Sequence, residues 1–106
     1  MKSAKRDTRI EIQRASVSLD ALGGETKTWA TVARPWAALH YGRGQERRQA
    51  AAEQGQQAVT MNILASPLTR TITITDRAVV GGEVWDIVGV APIGRRDIDL
   101  AAVRAP

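Results

Sequence analysis

The sequence predicts an all-β fold, a small β-barrel or sandwich of about six strands that carries a long polar, partly helical insertion. Short segments with apolar residues at alternate positions recur along the chain, and glycine-marked turns separate them. Only one stretch, residues 43–57, has a helical composition, and it is almost free of apolar side chains. At 106 residues the chain has the length of one domain, residues 1–106.

The first two elements form a predicted hairpin. In "TRIEIQRASVS" Ile10 and Ile12 alternate with polar residues, as expected of a strand with one solvated face. Gly23 and Gly24 then allow the positive φ that a chain reversal needs. The returning segment "TWATVARPWAALHYG" contains Pro35, which cannot donate to a ladder, so we expect a bend at a sheet edge or a bulge there.

The insertion, residues 43–57, cannot be held by its own domain. Its only apolar side chains are those of Ala50, Ala51 and Ala52. The helix propensity is good, but an isolated helix shorter than ~12 residues is marginal in water. Because the segment has no apolar stripe, its partner must be solvent, another copy or a ligand.

Two further strands are predicted after the insertion. "AVTMNILASP" alternates Val59, Met61 and Ile63 with polar residues and ends at Pro67. The β-branched run "TITIT" at residues 71–75 is typical of another short strand.

The clearest hairpin signal is "RAVVGGEVWDIVGV". Gly81 and Gly82 lie between two β-branched runs, as a two-residue turn requires. The turn sets a register with three cross-strand pairs: Val79 with Val84, Ala78 with Trp85, and Arg77 with Asp86. The last pair brings opposite charges together.

The last predicted strand, "RRDIDLAAV", follows a turn at Gly94. Ile98 and Leu100 lie on one face of it, and Asp97 and Asp99 on the other. The chain has no Phe and one Tyr, so the core must be aliphatic. We expect it to form around the three tryptophans, Trp29, Trp36 and Trp85.

The sequence contains no recognisable constellation of catalytic residues. His40 is the only histidine and there is no cysteine, so neither a Cys/His pair nor a zinc site of these ligands can be built. We interpret His40 as a half-exposed structural residue, and Asp97 and Asp99 as part of a solvated charged face. We therefore expect a protein that is not an enzyme and has no catalytic residue, metal or cofactor.

Composition also limits the surroundings of the protein. No apolar run approaches the ~20 residues of a membrane-spanning helix, and "MKSAKRDTR" lacks the apolar segment of a signal peptide. We expect a protein made in the cytoplasm, with no membrane partner. The net charge of +4 favours polyanions only weakly, because the basic residues are dispersed.

A small basic β-barrel that binds nucleic acid is the alternative function. Single strands are usually bound by aromatic side chains interleaved with basic ones, and the tryptophans here are interpreted as core or hairpin residues. The remaining mode is one in which Arg43, Arg47 and Arg48 contact phosphates without reading bases.

Several segments, in their order, resemble a known family. They are "RIEIQR", a Gly-Gly reversal before "ETKTWATVARPWAAL", the polar "GRGQERRQAAAEQGQQAVTMNI", and "DRAVVGGEVWDIVGV" with a charged final strand. This order, from about Arg9 to Arg104, resembles the bacteriophage head-tail joining family. Its members are the small adaptor and head-closure (stopper) proteins of tailed phages, prophages and related particles.

The resemblance implies a β-barrel-like fold with a long insertion and a place in the virion neck. It implies a homo-oligomeric ring beneath the portal vertex that closes the exit of the packaged double-stranded DNA and offers a docking face to the tail. The implied partners are a portal or adaptor ring and a tail terminator or tail completion protein. Adaptor and stopper positions both stay open, and the source is a phage, a prophage or a gene-transfer particle.

A ring gives the insertion a possible role. Copies around one axis bring residues 43–57 to a high local concentration, so we expect them to project toward the channel and narrow it. The expected DNA-facing residues are Arg43, Gln45, Arg47, Arg48 and Gln49. The alternative is a flexible loop without a role, since loops are cheap to lengthen.

The surfaces that dock on neighbouring rings are expected at exposed tips. The candidates are the hairpin turns around Gly23-Gly24 and Gly81-Gly82, together with the chain termini. The sequence does not choose among them.

Overall fold

In a computed structural model, the protein is described at residues 5–41 and 57–104. This part of the chain is all-β, as predicted. It contains eight strands, β1 (Thr8–Arg9), β2 (Glu11–Leu19), β3 (Glu25–Ala33), β4 (Trp36–His40), β5 (Gln57–Leu64), β6 (Arg77–Val80), β7 (Glu83–Ile93) and β8 (Asp97–Arg104). A single turn of 3₁₀ helix spans Thr69–Thr71. The insertion predicted at residues 43–57, including its helical part, lies outside the described residues except for Gln57.

The eight strands form one antiparallel sheet in the order β1-β4-β5-β8-β7-β6-β2-β3. The sheet curls into a half-barrel, so the described strands form the predicted barrel in this partial form and not the alternative sandwich of two stacked sheets. β1 and β2 follow each other in the chain, but β1 begins the strand order and β2 lies one strand from its other end. Ile10 joins them, and its amide donates to the Pro35 carbonyl at 3.1 Å.

That hydrogen bond makes β1–β4 and β2–β3 one long strand pair. The register Ile12↔Ala33 continues through Ile10 and Pro35 into Arg9↔Trp36. The bend predicted at Pro35 is where the returning strand passes from β3 to β4. This pair is divided into four strands. For this reason the described chain has eight strands, whereas about six were predicted.

The long strand pair of β1–β4 and β2–β3 is a hairpin closed by the turn between β2 and β3, and its outer part projects from the half-barrel. β2 pairs with β6 only from Glu11 to Gln13, whereas its pairing with β3 continues to Leu19↔Glu25. Residues 15–29 therefore form a two-stranded ribbon, here called the arm. The arm is consistent with the elongated shape of the described protein, 56 × 35 × 23 Å.

The core lies on the inner face of the curled sheet. The residues predicted to face inward on the central strands are buried, where Met61 pairs with Leu100 and Ile63 with Ile98. The predicted register of the β6–β7 hairpin is confirmed as well: Val79 with Val84, Ala78 with Trp85, and Arg77 with Asp86. Ala78 and Trp85 are both buried members of the core.

Two of the three tryptophans do not occupy the predicted core position. Trp36 is 50% exposed, because its neighbour Ala37 takes the inner position of β4 opposite Ile63. Trp29 is half-buried at the base of the arm. The prediction of a tryptophan core is therefore confirmed for Trp85 alone, which is 5% exposed.

The strand predicted at residues 71–75 is wrong. The chain there leaves the 3₁₀ turn and makes a tight turn instead, in which the Asp76 amide donates to the Thr73 carbonyl at 3.1 Å. The buried Asp76 carboxylate accepts the Thr73 amide at 3.0 Å. A buried charge needs such donors, and this requirement outweighs the strand preference of the β-branched residues.

Candidate functional site

The turn between β6 and β7 forms the first of the two predicted docking tips. Gly81 and Gly82 have φ values of 58° and 84°, the two positive values of a type I′ hairpin turn. A Cβ at either glycine would meet no atom within 4 Å, so the requirement for glycine comes from the backbone and not from crowding.

The second predicted tip, at the end of the arm, is built around Asp20. Its Oδ1 accepts the Leu22 amide at 2.9 Å and the Gly24 amide at 2.7 Å. Gly23 has the predicted positive φ, 82°, but Gly24 does not. Gly24 has a different role, since a Cβ there would lie 2.8 Å from the Asp20 Oδ2 atom. Because Gly24 has no side chain, the Asp20 carboxylate can pack onto the turn.

The two tips point away from each other: β2 leads from its pairing with β6 toward the arm tip, whereas β6, antiparallel to β2, leads to Gly81. The insertion begins after β4 and ends at Gln57, the first residue of β5, which pairs with Arg104. The Arg104 Nε atom lies 2.9 Å from the Glu83 carboxylate, beside Gly82. The root of the insertion and the β6–β7 tip therefore share one end of the half-barrel. The arm extends from the opposite end of the half-barrel. The chain runs from the arm tip along β3 and then along β4, which leads to the insertion.

The predicted channel-facing residues belong to the insertion. Arg43, Gln45, Arg47, Arg48 and Gln49 all lie outside the described residues. What the structure does place is the point of attachment, between His40, which pairs with Thr60, and Gln57.

The end of the arm exposes apolar side chains. Val17, Leu19 and Leu22 are 58%, 71% and 96% exposed. Sequence reasoning missed this surface, although a signal is present: the apolar positions of the first strand change from even (Ile10, Ile12) to odd (Val17, Leu19). In a strand this change moves apolar side chains to the opposite face. The arm thus carries its apolar residues on the face that does not continue into the core.

A second apolar surface lies at the base of the arm. It is a groove of about 320 Å³, lined mainly by Ala33, Pro35, Trp36, Leu64 and Leu68. Trp36, Leu64 and Leu68 are each at least half exposed. Arg34 lines the groove, and the Arg9 guanidinium lies 5.2 Å from the centre of the Trp36 ring. We call these residues the base groove.

Polar contacts stiffen the arm where it joins the half-barrel. The Arg77 guanidinium donates to Gln13 at 2.8 Å, Gln13 donates to Glu11 at 2.5 Å, and Arg34 donates to Glu11 at 3.2 Å. The pKa of Glu11 is lowered, first by the Gln13 hydrogen bond, then by those of Thr31 and Arg34. Arg77 also stacks on Trp29 at 4.0 Å from the ring centre.

Chemistry-bearing residues are sparse in the part of the chain that the structure describes. It holds no group of three or more metal-ligating side chains. His40 is half-buried on β4, as predicted. Asp97 accepts a hydrogen bond from Arg6 at 2.6 Å, and Asp99 accepts one from Asn62 at 2.8 Å. No helix within residues 5–41 and 57–104 is long and apolar enough to cross a bilayer.

Comparison with solved structures shows where this fold recurs. A protein of Shigella flexneri 2a, solved in solution, is similar with a TM-score of 0.73 at 24% identity, over 96% of this chain and 95% of that one. A chain from the virion of a native gene transfer agent particle is similar with a TM-score of 0.66 at 18% identity, over 95% of this chain and 96% of that one. At these identities the similarity concerns the fold.

Sequence comparison identifies the family. Among curated proteins no match is found. The family of phage head completion proteins matches residues 1–104, nearly the whole chain, and agrees with the resemblance noted from the order of its segments. The chain therefore belongs to the phage head completion protein family and is a structural component of a virion.

Proposed function

We propose that the protein forms a ring in the neck of the virion, beneath the portal, where it closes the DNA channel and docks the tail. The observation that carries the proposal is that the exposed Gly81-Gly82 turn and the root of the polar insertion share one end of the half-barrel. The turn offers a contact surface toward a neighbouring ring at the same end from which the insertion extends toward the channel.

The insertion fits the same arrangement. It is rooted beside the β6–β7 tip, so in a ring every copy of residues 43–57 would start from the same level along the axis. Three arginines and two glutamates give each segment a net charge of +1, and a ring multiplies this into a positive collar for packaged DNA. Arg43, Arg47 and Arg48 are the proposed phosphate contacts.

Deletion of residues 44–56 tests the channel role. The deleted variant should keep its far-ultraviolet circular dichroism and assemble with purified portal, yet particles that carry it should lose packaged DNA. Replacement of the same residues by a Gly/Ser segment of equal length is the matched control, and it should leak as well. A deletion that unfolds the domain would show that the segment is structural and would contradict the proposed role.

Ring formation is tested with the purified protein and its portal. Native mass spectrometry and negative-stain microscopy should show closed rings, free or on the portal. A protein that stays monomeric under all these conditions overturns the proposal. We also propose that it has no catalytic activity, so His40→Ala should leave particle assembly and infectivity unchanged.

A basic cluster supports the alternative function, nucleic-acid binding by the folded domain. The Arg70 guanidinium donates to the Arg95 carbonyl at 3.0 Å, which brings Arg70, Arg95 and Arg96 together at the turn between β7 and β8. A phosphate-binding surface predicts DNA affinity that falls steeply with salt and drops in Arg95→Ala and Arg96→Ala. A neck protein without this activity binds its portal equally well with and without added oligonucleotide.

A further inference from the structure

The arm tip and the base groove are both apolar and both open to solvent. Val17, Leu19 and Leu22 form the first surface, and Trp36, Leu64 and Leu68 form the exposed part of the second. Scattered apolar residues are normal on a protein surface, but contiguous patches are typical of binding sites. Neither patch contributes to the core of the half-barrel.

The two surfaces are complementary in charge as well as in polarity. Beside its leucines the arm tip carries two carboxylates, Asp20 and Glu25, and one cation, Lys27, opposite Val17. The base groove carries two guanidiniums: Arg34 on its lining, which also donates to Glu11 at 3.2 Å, and Arg9 over Trp36. An apolar centre with oppositely charged rims is the usual composition of a specific protein interface.

The arm cannot fold back onto its own groove. β3 pairs with β2 from Glu25 to Ala33, and the groove begins where this ladder ends. At ~3.3 Å per residue, the tip is held about 25–30 Å from the groove of the same chain. The occupant must therefore come from outside the protomer.

The outer part of the arm, beyond the polar contacts at its base, has no described strand of its own protomer beside it other than β2 and β3. From Ala15 to Leu19, β2 pairs only with β3, and a lone two-stranded ribbon is marginally stable in water. Contact with a second copy would stabilise it. Because tip and groove are different surfaces, the contact is heterologous, and a heterologous contact repeats from copy to copy until the assembly closes.

We propose that the arm tip of one copy docks into the base groove of the next copy and that this contact links neighbouring subunits. The inference rests on the proposed ring and specifies which surfaces build it. Leu22 and Leu19 would enter the groove between Trp36 and Leu68, and Asp20 and Glu25 would face Arg9 and Arg34.

Disulfide crosslinking tests the contact directly, because the chain has no cysteine of its own. Leu22→Cys and Leu68→Cys proteins are mixed, assembled with the portal and oxidised. The mixture should give dimers that hold one copy of each variant. Val88→Cys replaces Leu68→Cys as the control, since Val88 is equally exposed (47%) but lies mid-strand on β7. We expect at least about tenfold more crosslinked dimer from the tip-and-groove pair.

A charge exchange gives a second readout. Glu25→Arg and Arg9→Glu should each lower the assembled fraction several-fold at low salt, and the double variant should recover most of it. Circular dichroism and thermal melting confirm that each variant is folded.

The outcomes separate the two proposals. Rings with tip-to-groove crosslinks and charge rescue support the contact. If rings form without these crosslinks, or if neither charge substitution lowers the assembled fraction, the proposed contact is wrong and the proposed function stands. Absence of any ring, free or on the portal, overturns the proposed function and the contact with it.

Discussion

The guanidinium of Arg14 grips the carboxylate of Asp76 with two parallel hydrogen bonds, from Nε to Oδ1 and from Nη2 to Oδ2, each 3.0 Å. The Asp76 side chain is fully buried, whereas that of Arg14 is 41% exposed. Arg14 also donates to the Thr71 carbonyl at 3.0 Å, and its own pKa is raised by the bond to Asp76. These contacts tie β2, at the base of the arm, to the turn before β6.

Removal of the Arg14 guanidinium should destabilise the domain more than the loss of a partly exposed side chain usually does. Arg14→Met keeps the apolar stem but leaves the Asp76 carboxylate buried without its cation. Loss of one partner of a buried pair costs about 3–5 kcal/mol, and because the Arg14 side chain is 41% exposed the expected loss here is about 2 kcal/mol. Urea denaturation measures it.

Arg70→Met is the matched control. Arg70 donates to a backbone carbonyl from an exposed position, so its loss should change the free energy of unfolding by less than about 0.5 kcal/mol. Equal effects of the two substitutions would contradict the role given to the Arg14–Asp76 pair.

Acid should loosen the base of the arm. Because the folded-state pKa of Glu11 is below its ordinary value of 4.5, the ionised carboxylate stabilises the fold. That contribution is present above the ordinary pKa and is lost as the pH falls through the lower, folded-state value. Glu11→Gln should therefore have a flatter stability profile below about pH 4.5 than the parent chain. Chemical denaturation at several pH values provides the comparison, and parallel profiles would refute this role of Glu11.

The turn at Gly81-Gly82 should tolerate asparagine better than alanine. Gly82 has a φ of 84°, which alanine adopts with strain, whereas a Cβ there meets open space. Gly82→Ala should cost about 1 kcal/mol, and Gly82→Asn clearly less, because asparagine visits the left-handed region more readily. Thermal melting ranks the two variants, and an alanine variant as stable as the parent chain would count against the turn conformation.

Replacement of each tryptophan should distinguish the buried ring from the exposed one. Trp85→Ala removes a ring that is 5% exposed and should cost about 3–5 kcal/mol, as truncations of buried aromatic side chains do. Trp36→Ala removes a half-exposed ring and should cost less than about 1 kcal/mol. If Trp36 were the more costly loss, the placement of the core would be wrong.

Local patterns were enough to predict much of the half-barrel. The alternation at Ile98 and Leu100 identifies the inner face of β8, and the Gly-Gly turn specifies the register of the β6–β7 hairpin. Both signals work because side-chain direction in a strand alternates strictly and because a two-residue turn leaves one register.

The same patterns failed where contacts with residues distant in the sequence determine the local conformation. Residues 71–75 have the composition of a strand, but buried Asp76 and Arg14, 62 positions earlier, hold them in a turn. Trp36 has the larger apolar surface, yet Ala37 faces the core because its register with Ile63 places it inward. Propensity describes one residue at a time and contains no information about such partners.

The candidate docking surfaces show the same division. The sequence alone determined an all-β chain with glycine turns at residues 23–24 and 81–82, because these features depend on neighbouring residues. Only the tertiary structure decided that the arm extends beyond the sheet, since β6 has 4 residues and cannot cover the 9 of β2. It also decided that Ala33, Trp36, Leu64 and Leu68 form a groove, because the pairing of β4 with β5 brings segments about 30 residues apart side by side.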